Sequence, residues 1–317
     1  MNTLPAQTAA QLPAQMLARL DEVAAVAQRA LAPNTLRGYY LDAARFRSWC
    51  AKHNHSPLPA EDRTVVAFLQ YEAAEGYKVG TLRRRAASIA SMHRMAGVEN
   101  PCESQLVRLQ LKGLARQLGT GQKQAAPLTE RELLRIRARL GSAPRDVRDT
   151  AVLLVGRDLL ARASELIALR VEDVQVVDGG AVVALRRHKT DTEARPYFVG
   201  PEAVAALQQW LQLAGITAGV VFRSVNKVGK VSASALSTRD VGRILKGRAL
   251  QAQLPGAAGV SAHSLRTGMA CDLVSANLEI SAVMAAGGWS TPSMVARYTA
   301  GLAAQRGAVA RYYGAQR

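Results

Sequence analysis

Seven side chains in the second half of this 317-residue sequence have types and spacings suited to chemistry on a phosphate. Arg162 and Glu165 interrupt the apolar run from Ala151 to Arg170, where burying a charge is costly unless it is paired or used. The plain alternative is a helix with ordinary surface arginines, which suits Arg157 and Arg170 better than Arg162. His263 and Arg266 stand three apart in His263-Ser-Leu-Arg266. On a helix that spacing aims an imidazole, which can accept a proton, and a guanidinium, which can fork two phosphate oxygens, at one ligand; it also arises often by chance. Lys189 ends a strand in Arg186-Arg-His-Lys-Thr-Asp191 and suits either a general acid for a leaving oxygen or a solvated turn. Trp289, in Gly287-Gly-Trp-Ser-Thr-Pro292, can pack against a ligand, donate through its indole, or simply fill core. Tyr298, read at a helix end in Met294-Val-Ala-Arg-Tyr-Thr299, can act as a covalent nucleophile where cations stabilise its phenolate. Tyr312 and Tyr313 are either its rivals or packing residues.

The elements that must position these groups are mostly helical. Leu36, Tyr39, Tyr40, Ala43, Phe46, Trp49 and Cys50 recur at helical spacing and give one apolar face. Val65 to Tyr71 predicts a further helix, opened by Pro59 with Glu61 and Asp62 in its first turn. Another starts at Thr81 and closes at Gly97, and a last one spans 106–118. These helices, without a convincing strand, predict an all-helical domain over 14–118, behind a polar tail at 1–13 expected to be disordered. Residues 119–127 read as a linker, polar, glycine-containing and ended by proline. In the second domain, 128–317, Thr129-Glu-Arg-Glu132 predicts a capping box and a helix runs from about Arg145 to Leu160. Ala181 to Leu185 and Tyr197 to Val199 predict a hairpin, and helices resume near Glu202. The expected fold class is therefore mainly α, with one small β-sheet in the second domain.

Composition narrows the function. The chain carries 41 Lys+Arg against 24 Asp+Glu, a net charge of +17. Residues 1–126 hold 16 basic and 9 acidic groups, and 127–317 hold 25 and 15, so the excess is not a detachable tail. A polyanion gripped by both domains accounts for this distribution, because phosphate contacts release condensed counterions; a basic surface kept for solubility is the alternative. Arg83, Arg84 and Arg85 on a helix suit DNA contact or a solvated charged face. Three distant cysteines, Cys50, Cys102 and Cys271, make no disulfide framework and favour a reducing compartment. No apolar run approaches the ~20 residues of a membrane span, and the first 20 residues lack the pattern of a secretory signal. No phosphate-binding glycine loop or metal-ligand spacing is present, since His53, His55, His93 and His188 do not pair with cysteines.

In chain order, Arg162 with Glu165, Lys189, His263-x-x-Arg266, Trp289 and Tyr298 resemble the catalytic set of the tyrosine recombinase (phage integrase) family, and most of all its Cre-like branch. Ala286-Gly-Gly-Trp-Ser290, Leu236-Ser-Thr-Arg239 and Gly307-Ala-Val-Ala-Arg311 look like the corresponding segments there. The likeness covers 127–314 closely and the N-terminal half in layout. It implies that a helical core-binding domain and a catalytic domain clamp duplex DNA, and that Tyr298 attacks a phosphodiester to give a 3′-phosphotyrosyl enzyme. It further implies that Arg162 and Arg266 hold the non-bridging oxygens, Lys189 protonates the leaving 5′-oxygen and His263 assists proton transfer. Trp289 would support the phosphate pocket, and Glu165 would orient its neighbours. No ATP, metal or other cofactor is implied. The expected partners are double-stranded DNA with inverted-repeat sites and three further copies of the chain in a tetramer on two duplexes, in the cytoplasm and on the nucleoid.

Tryptophan stands at 289 where the family commonly has histidine, a Cre-like feature. Residues before about 30 are too few and too weakly basic for an extra arm-binding domain, which favours simple sites. The tail at 302–313 is either an exchange helix donated to a neighbouring protomer or a helix packed in cis. A DNA-binding protein of the same fold that no longer cuts is the chief alternative. Type IB topoisomerases and hairpin telomere resolvases share the chemistry but not the outcome.

Overall fold

The computed structural model describes residues 14–121, 124–185, 194–306 and 312–313, and the chain divides into two units, Met1–Gln122 and Lys123–Arg317. The tail expected to be disordered, 1–13, lies outside the described residues. The first unit holds α1 (Ala14–Ala30), α2 (Pro33–Lys52), α3 (Asp62–Ala74), α4 (Val79–Ala96) and α5 (Gln105–Leu118). The apolar faces of α2 to α5 meet in one core of Phe46, Trp49, Val65, Phe68, Leu82, Ile89 and Val107, among others, as helical periodicity requires. Pro59 stands outside α3, which opens at Asp62 behind an N-cap at Glu61; the acidic residue, rather than the proline, lies in the first turn, where it complements the helix dipole. Gly97, at φ 72°, closes α4 in the left-handed conformation, which glycine adopts without strain.

A buried histidine ties α4 to the loop that leads into α3. The His93 side chain is fully buried; its Nδ1 contacts the Ile89 carbonyl at 2.8 Å and its Nε2 accepts the Ala60 N–H at 2.9 Å. That pair of contacts requires the neutral tautomer with the proton on Nδ1. Burial accordingly holds the imidazole below its ordinary value of 6.5, the Ile89 hydrogen bond opposing it. Because the folded value is depressed, the unfolded chain takes up the proton first. The stabilisation is complete above about pH 6.5 and is lost as the pH falls below that value. Unfolding of the full chain at a series of pH values should show this loss, with a slope of at most ~1.4 kcal/mol per pH unit from this group, and His93→Gln should flatten it.

The second unit begins with α6 (Glu130–Arg137), capped as the sequence predicts: Glu132 Oε2 accepts the Thr129 N–H at 3.2 Å and also its hydroxyl. Then come α7 (Pro144–Asp158) and α8 (Ala163–Ala168). A three-stranded antiparallel sheet follows, β1 (Val174–Val177), β2 (Gly180–Leu185) and β3 (Arg195–Val199), in the order β1-β2-β3. After α9 (Pro201–Ala214) a second hairpin forms from β4 (Arg223–Val225) and β5 (Val231–Ala235). The rest is α10 (Thr238–Gln251), α11 (Ser264–Ser275), α12 (Ile280–Gly287) and α13 (Pro292–Arg306). The central helix α7 packs on α9 and α11, and its Val152, Leu153 and Val155 share one core with Leu207, Trp210 and Val183. No helix among the described residues is long and apolar enough to cross a membrane.

Four expectations change. The second domain has two small sheets rather than one, because β4 and β5 are too short and too poor in large apolar residues to show alternation. The expected hairpin gains a third strand, β1. The linker expected over 119–127 is shorter, since Ala126 already donates its N–H to the Gly259 carbonyl at 3.0 Å within the second unit. Tyr298 lies inside α13 rather than at a helix end, and α13 runs on to Arg306, into the start of the tail segment 302–313.

Candidate active site

The site forms where α7 breaks before α8. Leu160 adopts a positive φ of 44° at this break, a strained conformation for a side chain branched beyond Cβ, and the chain reverses so that Arg162 becomes the N-cap of α8. Glu165, almost fully buried, then serves both parts of Arg162: Oε2 accepts the backbone N–H at 2.8 Å and Oε1 pairs with Nη1 at 2.5 Å. One carboxylate therefore caps the helix and fixes the guanidinium, whose side chain keeps 33% of its exposure. This charge in an apolar stretch is therefore paired, with Glu165 as its partner.

Arg266 enters from the first turn of α11. That helix is held tight against the incoming chain: Leu128 donates its N–H to the Ser264 carbonyl at 3.0 Å, and a Cβ on Gly268 would lie 1.9 Å from the Leu128 carbonyl oxygen. Only glycine permits that approach. Arg266 is 1% exposed, and its Nη1 and Nη2 donate at 2.6 Å to the carbonyls of Leu160 and Gly287. The strained turn at Leu160 thus presents a carbonyl that holds the second arginine. The Arg266 guanidinium carbon also lies 4.4 Å from the Trp289 ring centre, within cation–π distance.

Trp289 is buried in a small cluster with Leu160, Ala270, Val283 and Val295 that joins α11, α12 and α13, against which Tyr298 packs. The Trp289 and Tyr298 ring centroids are 5.3 Å apart. The indole Nε1 is buried and meets no hydrogen-bond partner among the described residues. Beside Tyr298, the thiol of Cys271 donates to the Tyr298 carbonyl at 3.6 Å, and burial pushes that thiol up to about 11. His263, exposed at the N-cap of α11, has its imidazole pKa lowered by desolvation, then by the positive charges of Arg266 and Arg162, with Glu165 opposing. It is neutral near pH 7 and able to accept a proton.

Six of the seven predicted residues, Arg162, Glu165, His263, Arg266, Trp289 and Tyr298, thus gather around one spot. Lys189 lies outside the described residues, as does the rest of 186–193; the strands on either side of it are β2 and β3. Tyr312 and Tyr313 are exposed and pack edge to face on each other, centroids 5.4 Å apart. Arg157, read as a surface residue, is mostly buried and pairs with Asp272 at 2.9 Å. Residue types could not reveal the two carbonyl acceptors of Arg266, because any residue has a carbonyl; the adjacent glycines at 287 and 288 were the available signal.

The three arginines singled out for DNA contact divide. Helical rotation places Arg85 on the inner face of α4 with Leu82, Ala86 and Ile89. It is 5% exposed, ion-paired with Glu72 and 3.9 Å from the Tyr77 ring centre, so it braces the unit and is withdrawn as a DNA contact. Arg84 is exposed but bonded to Asp42 at 2.6 Å, and Arg83 is exposed.

Residues 127–305 match the phage integrase family, and residues 25–100 match the phage integrase N-terminal SAM-like domain. The chain is 29% identical over 289 residues to an integrase/recombinase XerD homologue of Selenomonas ruminantium, covering 86% of this chain and 82% of that protein. It is 28% identical over 289 residues to the Cre recombinase of Escherichia phage P1, covering 83% of each. Among solved structures, the integrase of transposon Tn1549, bound there to transposon right-end DNA, matches with a TM-score of 0.63 at 15% identity, over 91% of this chain and 98% of that one.

Proposed function

The chain belongs to the phage integrase family of tyrosine recombinases and is a site-specific DNA recombinase, and we propose that it cuts and rejoins DNA through a 3′-phosphotyrosyl link to Tyr298. The gathering of Arg162, His263, Arg266, Trp289 and Tyr298 at one place carries this reading. The Tyr298 oxygen attacks the scissile phosphorus and the 5′-oxygen departs. Arg162 and Arg266 bind the non-bridging oxygens as negative charge grows on them, where preorganised donors lower the barrier most. His263 takes the phenol proton, Lys189 protonates the leaving 5′-oxygen, and Glu165 holds Arg162 in place. The phosphodiester energy stays in the covalent link, so rejoining needs only the attack of a 5′-hydroxyl, without ATP or a metal.

We further read the chain as a Cre-like enzyme that works as a homotetramer on two duplexes with simple inverted-repeat sites, on the nucleoid. The net charge of +17, spread over both halves, supports a DNA partner held by two domains and predicts steep weakening of binding with salt. Arg83 and Arg84 are the contacts proposed in the helical domain. The test is a nicked duplex carrying candidate sites, incubated with the protein in EDTA. A trapped protein–DNA adduct whose linked peptide contains Tyr298 is the expected result. Specific binding without any adduct would transfer the chain to the non-cutting reading.

Proton acceptance by His263 gives a pH signature. The depressed imidazole sets the midpoint of the acid limb below 6.5, so the single-turnover adduct rate holds near pH 7 and falls at lower pH as His263 takes up a proton. His263→Ala should remove that acid limb and slow the reaction roughly a hundredfold, measured as adduct formed per unit time between about pH 5 and 8.

A further inference from the structure

Gly287 has no side chain, and the space a side chain would fill holds the ring of Trp289. A Cβ built on Gly287 would lie 2.3 Å from Cε3 and Cζ3 of that ring and 2.7 Å from its Cδ2. Ordinary contact begins near 3.4 Å, so the ring would have to retreat by about 1 Å. It has nowhere to go without cost: it is 5% exposed, with the Arg266 guanidinium 4.4 Å from its centre and Tyr298 at 5.3 Å. The fold-back that brings the ring over Gly287 comes from Gly288, which caps α12 at φ 62° and ψ 44°. Gly287 itself has no positive φ and is the last residue of α12, a place where alanine is otherwise the better helix former. Its requirement for glycine is therefore one of space. The Gly287 carbonyl also accepts Nη2 of Arg266 at 2.6 Å, so the residue meets the site through both its carbonyl and its missing side chain.

We propose that Gly287 is a positioning residue of the recombination site: the bare glycine lets Trp289 lie against both Arg266 and Tyr298, and positions 287 and 289 are coupled by size. The inference rests on Arg266 as phosphate ligand and Tyr298 as nucleophile. A displacement near 1 Å at a reacting centre costs about a hundredfold in rate, and Gly287→Ala should slow adduct formation on the nicked duplex by about that factor. The same substitution should lower the Tm of the full-length protein, yet raise it or leave it unchanged when Trp289→Ala is already present, because the clash is gone and alanine's helix preference remains. Should the single variant not fold, recovery of a cooperative melt in the Gly287→Ala, Trp289→Ala double variant is the same result. A Tm that moves equally in both backgrounds, failure of both variants to fold, or an unchanged adduct rate in Gly287→Ala would overturn the proposal. The melting comparison does not depend on the chemistry. An adduct that persists in Tyr298→Phe would remove the nucleophile assignment while leaving the size coupling to be judged on Tm alone.

Discussion

Tyr298→Phe abolishes the covalent adduct, by roughly a thousandfold or more in single turnover, while the protein folds and binds DNA as before. The two halves of that expectation come from different parts of the side chain. The ring is what packs on the cluster of Trp289, Val283 and Val295, with its centroid 5.3 Å from the indole, and phenylalanine keeps all of that surface. Only the oxygen is lost, and that oxygen is the one proposed to bond phosphorus. Binding by a DNA mobility-shift assay and cleavage on the nicked duplex, measured on one preparation, separate the two effects. Adduct in the phenylalanine variant, lost instead with Tyr312→Phe or Tyr313→Phe, would reassign the nucleophile to the exposed pair near the C-terminus.

Arg266→Ala should damage both stability and chemistry. The guanidinium is 1% exposed and is the donor to two carbonyls, those of Leu160 and Gly287. Withdrawing it from buried acceptors costs on the order of 1–3 kcal/mol for each group left without its donor, and the Trp289 ring loses the cation beside it. A loss of about 2–5 kcal/mol in unfolding free energy follows, read by denaturant titration. On the nicked duplex, removing one donor to the developing charge should slow adduct formation roughly 10²–10³-fold. Arg266→Lys keeps the charge but not the fork that spans both carbonyls, so it should recover part of the DNA affinity and little of the rate. Full activity in the lysine variant would show that charge alone, without the fork, meets the need.

The sequence was most legible where chemistry depends on side-chain type and order. Arg162, Glu165, His263, Arg266, Trp289 and Tyr298, each with a plain alternative when taken alone, could be named because their types in that order resemble the family's catalytic set, and the helical faces of α2 and α3 showed in their spacing. What stayed hidden has physical causes. Arg85 belongs to a run of three arginines whose composition says surface, but about 100° of helical rotation per residue turns one of the three inward, where Glu72 awaits it. Arg157 pairs with Asp272, 115 residues away, a relation that no local pattern carries. In β5 the run Val-Ser-Ala-Ser-Ala alternates too faintly to read as a strand. The carbonyls that hold Arg266 depend on backbone direction, set at Leu160 by a φ of 44° that its residue type argues against.

The first residues of the second unit are sewn to its working parts. The Gln124 side chain donates to the Arg297 carbonyl at 2.5 Å, beside Tyr298; Ala126 bonds Gly259, and Leu128 bonds Ser264 in the helix of Arg266. For protein engineering this decides where the chain can be cut. A catalytic fragment that starts at residue 128, the boundary suggested by composition, discards the first two of these stitches, whereas one that starts before Gln124 keeps all three. A fusion partner or affinity tag joined directly at residue 128 would press on the helices of Tyr298 and Arg266, so a spacer belongs ahead of Gln124.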